Sequence, residues 1–173
     1  KVTEDIQLAH ANADPVSYDA DGEVVYDNHL GNNLISYPFM SGQSVGDALG
    51  DAASNVYAVA SEGVAALWSS TAQDWVGSLT AFEGGRGYWL VANNDFSFSF
   101  NGMTGGLTRS AVQPTRRVVP EIYSFYQSDQ QAFFFVKSAT IHGEALTSED
   151  LIIAYNGEQV VGSRYWNGEF TDI

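Results

Sequence analysis

"WVGSLTAFEGGRGYWLVANNDFSFSF", residues 75–100, decides the class of this fold. Its three apolar runs, "DWVGSL", "GYWLVAN" and "FSFSF", are short and separated by glycine- and asparagine-rich breaks, a pattern of antiparallel strands rather than of a helix. The last run alternates strictly, which places Phe96, Phe98 and Phe100 on one face and Ser97 and Ser99 on the other. "GGRG" at 84–87 lacks the Lys-Ser/Thr end of a phosphate loop, and no helix follows it; it reads as a tight hairpin turn.

Upstream, the same grammar continues. "NLISYPF" is a strand that stops before Pro38, and "NVYAVAS" and "GVAALWS" are two more. "SVGDALGDAA" carries a helix signature: Ser44 as cap, Asp47 three residues on, Gly50 as a stop. "TEDIQLAHANA" predicts a second short helix capped by Thr3, and a brief strand is expected around Glu23 to Tyr26.

Residues 103–120, "MTGGLTRSAVQPTRRVVP", break the pattern with two prolines, a Gly-Gly pair and Arg109, Arg116 and Arg117. This is a linker, or a basic strap drawn to the acidic body. Beyond it, "AFFFVKSATI" reads as one long strand and "HGEALTSED" as a loop. "LIIAY" should meet "EQVVGSRYW" through Asn156-Gly157 in a type I′ turn, and "RYW" should meet "EFTDI" through Asn167-Gly168. The expected fold is therefore mainly β: two small antiparallel modules, sandwich or meander, with one or two short helices. An N-terminal segment (1–26), a first module (27–102), the linker (103–120) and a second module (121–173) divide the chain.

Composition narrows the partners. The 173 residues are 45% apolar and only 16% charged, with 7 basic against 21 acidic side chains and a net charge of −14. Surface polarity must come largely from Ser, Thr, Asn, Gln and Gly, as in β-rich extracellular domains. Such a field repels nucleic acid and anionic membranes, and it suits salty water, where repulsion is screened. Without cysteine there is no disulfide, thiolate metal site or cysteine nucleophile. No apolar run is long enough to span a membrane as a helix. The chain opens on Lys1 with no signal-peptide pattern, the start expected of a processed protein or an excerpt.

No constellation nominates a reaction. His10, His29 and His142 stand apart from any metal-ligand pairing, and read as surface or turn residues. Ser78 and Ser163 follow glycine but lack the second glycine of a nucleophile elbow. Asp19 and Asp21 in "DADG" match half of a calcium loop, but Ser17 and Asn28 stand where two further acids belong, so a structural turn is the simpler reading. Nothing selects a carboxylate pair of the kind that cleaves glycosides. Among the four tryptophans, core or cross-strand packing is the ordinary role; Trp68 and Trp75 are the candidates for stacking on a sugar.

Asn33–Ser36, Asp47–Leu49, Trp75–Leu79 and Gly87–Trp89 together resemble a β-rich module recurring in large secreted and cell-surface proteins of marine bacteria. They are also similar to modules in structural proteins predicted for marine bacteriophages. Gln131–Phe135, Asn156-Gly157 and Val161, Gly162, Arg164 and Trp166 resemble its companion module. The resemblance covers residues 24–102 and 121–173 and carries no catalytic residue. It implies a non-catalytic structural or adhesive module on the outside of a cell or virion, partnered by further copies or neighbouring proteins. A carbohydrate-binding module and a hydrolase with an unrecognised carboxylate pair are the alternatives. The companion module usually continues past the last strand. Phe170 and Ile173 are therefore expected on an edge that another subunit covers.

Overall fold

The computed structural model describes residues 16–18, 23–102, 117–126 and 132–173, and among them the chain is mainly β. The first part runs β1 (Val16–Tyr18), β2 (Val24–Asn28), β3 (Gly31–Ser36), β4 (Gln43–Ser44), α1 (Val45–Leu49), β5 (Val56–Ser61), β6 (Val64–Ser69), β7 (Asp74–Gly77), β8 (Ala81–Phe82), β9 (Gly87–Ala92) and β10 (Phe96–Phe98). The second part holds β11 (Phe135–Val136), β12 (Thr140–Ile141), β13 (Glu144–Ala145), β14 (Leu151–Asn156), β15 (Gln159–Tyr165) and β16 (Thr171–Asp172).

The main sheet is antiparallel, in the order β3-β9-β5-β6-β7. Its inner face carries Ile35, Val59, Ala66, Tyr88 and Leu90, all buried. Against that face pack α1, the β4–β8 pair and the β1-β2-β10 sheet, which contribute Leu49, Phe82, Tyr26 and Phe98 to one core. Phe82 is its centre: Tyr37 stacks on it at 5.4 Å, and Tyr88 and Phe100 meet it edge-on at 4.7 and 5.1 Å. Edge-on contacts of this kind put the positive rim of one ring against the negative face of the next. Each hydroxyl in this cluster has a polar partner. Tyr37 donates to Gln43 Oε1, Tyr26 donates to the Ser36 carbonyl, and the Tyr88 oxygen accepts from the Glu83 N–H. Asn28 Oδ1, in contrast, is buried with no hydrogen-bond partner.

The alternation in "FSFSF" is as expected: Phe98 and Phe100 are buried, Phe96 is half-buried against them, and Ser97 is exposed. The capped helix is there too, with the Asp47 N–H donating to Ser44 Oγ at 3.1 Å. Gly50, at φ +50°, changes the helix type instead of ending it, and a 3-10 turn runs on from Gly50 to Asn55. Asn101 satisfies carbonyls left open at the helix end, its N–H donating to Ala48 O and its side-chain amide to Asp47 O. The Thr3 helix lies outside the described residues. The expected boundary between residues 26 and 27 falls inside β2, which pairs with β10.

Four expectations about the second part are corrected. "AFFFVKSATI" is not one strand but two of two residues, β11 and β12, because a strand persists only where it has a partner: β11 pairs with β16 and β12 with β13. The "loop" after it is thus a hairpin whose two turn residues, His142 and Gly143, both have positive φ (52° and 89°), the type I′ pattern. At Asn156-Gly157 the hairpin forms, but Asn156 still pairs with Gln159, and of the two loop residues only Gly157 has positive φ, the type II′ pattern.

Finally, "EFTDI" does not fold back on "RYW". Gly168 and Phe170 take positive φ, and Thr171 Oγ1 donates to Gly168 O while accepting the Asn167 N–H, which closes a loop. β16 then runs along β11, with Phe134 and Ile173 exchanging two backbone hydrogen bonds of 2.9 and 3.0 Å. Thr171 and Asp172 are buried, and Phe170 and Ile173 are half-buried by the chain itself.

Candidate functional site

Polar chemistry and exposed aromatics occur in different places. The buried polar group is at the junction of the two parts. Asp172, 1% exposed, accepts from Ser78 Oγ at 2.6 Å and sits 3.4 Å from the Arg164 guanidinium, which also donates to Gly63 O at 2.6 Å. Close by, Phe135 covers Gly77, whose φ of +117° and contact with the Ala65 carbonyl leave no room for a Cβ. This cluster ties β16 and β15 to β6 and β7; it holds no histidine and reads as a clamp.

Trp68 and Trp75 face each other across β6 and β7, edge-on at 5.8 Å. Trp75 packs on Gly46 of α1 and against the core, and its Nε1 is buried without a hydrogen-bond partner. Trp68, 38% exposed, leans on it. The pair belongs to the margin of the core rather than to an open platform. Of the predicted strap residues, Arg117 chelates Glu149 with both nitrogens at 3.2 Å and lies 4.0 Å over the Tyr165 ring. Arg109, Arg116, Asp19 and Asp21 lie outside the described residues. Among the described residues no three of His, Cys, Asp and Glu gather as a metal-binding group.

The open aromatic surface is on the outer face of the main sheet, an open groove of about 900 Å³. Trp89 and Tyr57, 52% and 54% exposed, line it. Register shows how it is built. Leu34, Trp89, Ala60 and Ala65 stand in one row across β3, β9, β5 and β6. Large side chains on two strands followed by alanines on the next two make a step, and Ala58 and Gly87 extend the low floor. A β-bulge between Val56 and Ala58 adds Tyr57 to the same face as Ala58; bulges commonly re-aim a side chain in this way. Phe133 and Phe135 close one side of the groove, and Asn32, Ser61, Glu62 and Arg86 provide its polar groups. Arg86 is held by Glu83 at 2.7 Å, which offsets its charge.

Perturbed titration, a common mark of catalytic sites, occurs away from this groove. Burial, then the neighbouring Tyr88, pushes Tyr37 up to about 12, and burial raises Tyr88. Asp150 is lowered by the hydrogen bonds it accepts from the Thr147 N–H and hydroxyl.

No known protein family, curated protein or solved structure matches this chain.

Trp89 and Tyr57 are the residues that sequence reasoning missed. "GYWLVA" is apolar on both of its alternating faces, so period two alone leaves open whether Tyr88 and Leu90 or Trp89 and Val91 point inward. For Tyr57 the signal was weaker still, because a bulge is set by its partner strand.

Proposed function

We propose that the chain is a non-catalytic adhesive or structural module of an extracellular or virion-surface assembly, acting by packing against other copies or neighbouring proteins. The observation that carries this reading is the outer face of the main sheet, where Leu34, Tyr57 and Trp89 stand exposed around a groove. Exposed apolar side chains grouped on one face mark interaction surfaces rather than chemistry. The low charge fraction and the field of −14 support an outside location.

Multivalent display is the test. Microspheres coated with the chain should cluster or attach to one another's surfaces, and free chain should compete. Dispersed beads, together with turnover of chromogenic glycosides or esters that scales with chain concentration, would overturn the proposal.

A further inference from the structure

The groove has a chemistry of its own. We propose that it binds a neutral glycan chain, with Trp89 and Tyr57 stacking on sugar rings; this rests on reading the groove as the working surface of the module. Three features of the structure converge on that ligand.

The first is shape. The floor is made of Ala58, Ala60, Ala65 and Gly87, side chains too short to fill the space beside Trp89 and Tyr57. Trp89 is opposite Ala60, and Tyr57 lies three residues further along β5, so the two aromatics are offset by about 10 Å along the strands. A linked pair of pyranose rings covers such a span. The CH-rich face of a pyranose is flat and weakly polarised positive, the complement of an aromatic face.

The second is hydrogen bonding. Asn32, Glu62 and Arg86 place an amide, a carboxylate and a guanidinium around the aromatics. Each is planar and offers paired donors or acceptors, which suits neighbouring hydroxyls on a ring. Arg86 is pre-oriented by its ion pair with Glu83. An apolar trough with a few fixed polar groups is the usual composition of a small-ligand site.

The third is exclusion. The net charge of −14 disfavours anionic polymers, and Arg86, the cation lining the groove among the described residues, is already paired with Glu83. An extended peptide adding itself as a strand needs a sheet edge, but β9 and β5, the strands that carry Trp89 and Tyr57, are paired on both sides. Beneath the two aromatics the ladder hydrogen bonds are already taken, and the edge strand β3 reaches the groove at its margin, through Asn32 and Leu34. Side-chain stacking on a ring-shaped neutral ligand remains.

Affinity electrophoresis of the full 173-residue chain tests this, in gels containing soluble β-1,3-glucan, β-1,4-mannan or xylan, with alginate as the anionic comparison. At least one neutral polysaccharide should retard the chain. Trp89→Ala and Tyr57→Ala should each weaken retardation at least tenfold with an unchanged circular dichroism spectrum, and Trp68→Ala should leave it as in the wild type. Should Trp89→Ala fail to fold, Tyr57→Ala alone carries the comparison. Retardation by none of the neutral polymers, retardation by alginate alone, or full binding by the Trp89 and Tyr57 variants would each overturn the proposal. Self-association abolished by Trp89→Ala, without polysaccharide binding, would also overturn it and assign the face to a second copy. Bead clustering that survives these failures would leave the adhesive reading standing, so the two ideas fail separately.

Discussion

Asp172→Ala should be among the most damaging substitutions in this chain, although it removes a polar side chain from a strand of only two residues. The Asp172 carboxylate is 1% exposed, accepts a hydrogen bond from Ser78 and faces the Arg164 guanidinium, itself only 14% exposed. Without it, Arg164 keeps its hydrogen bond to Gly63 O but loses the carboxylate 3.4 Å away, and the Ser78 hydroxyl loses the acceptor at 2.6 Å. Breaking a buried pair from one side costs about 3–5 kcal/mol, because a charge stays buried without compensation. In a chain of this length each kcal/mol shifts the melting temperature by about 2–4 °C, so a fall of about 6–20 °C is expected. Urea unfolding followed by tryptophan fluorescence gives the free energy directly. The midpoint should drop with little change in slope, because the surface exposed on unfolding is nearly the same. Arg164→Met combined with Asp172→Leu should recover part of the loss, since replacing both charges by apolar groups removes the desolvation cost along with the attraction. A single Asp172→Ala variant within about 1 kcal/mol of wild type would refute the reasoning and show the junction to be wet.

Gly77→Ala should destabilise by about 1–3 kcal/mol from its backbone conformation alone, and further because the new Cβ meets the Ala65 carbonyl; equilibrium unfolding would show it, and a neutral result would contradict the φ of +117°. Phe98→Ala should cost about 3–5 kcal/mol, as its ring is buried between Phe96, Phe100 and Tyr26, and thermal melting measures this; a loss under about 1 kcal/mol would mean that the face assignment in β10 is wrong. Tyrosine ionisation followed in the ultraviolet should show Tyr37 titrating near 12. Since its folded value is raised above the unfolded one, the stability linked to Tyr37 is fully present below pH 10 and is lost as pH rises towards 12, and Tyr37→Phe should flatten that fall.

Local chemistry made much of the architecture legible. A serine cap three residues before Asp47, a strict Phe-Ser alternation and a proline after "NLISY" act within a few residues, and each gave an element where it was expected. What the sequence could not decide was partnership. β9 lies between β3 and β5, and β16 pairs with β11 rather than with the nearer β15, because strands are selected by packing between distant segments and not by the turn that precedes them. The turn types moved for the same reason. A partner strand that continues through Asn156 leaves the loop only Gly157 and Glu158, so the type I′ pattern appears at His142-Gly143. The candidate site shows the limit most plainly. In "FSFSF" one face is polar, and the alternation alone identifies the buried side. In "GYWLVA" both faces are apolar, and it is the core beneath Tyr88 and Leu90 that turns Trp89 outward onto the groove. The sequence determined that this strand exists; the tertiary structure decided which of its aromatic residues holds the core and which is exposed on the groove.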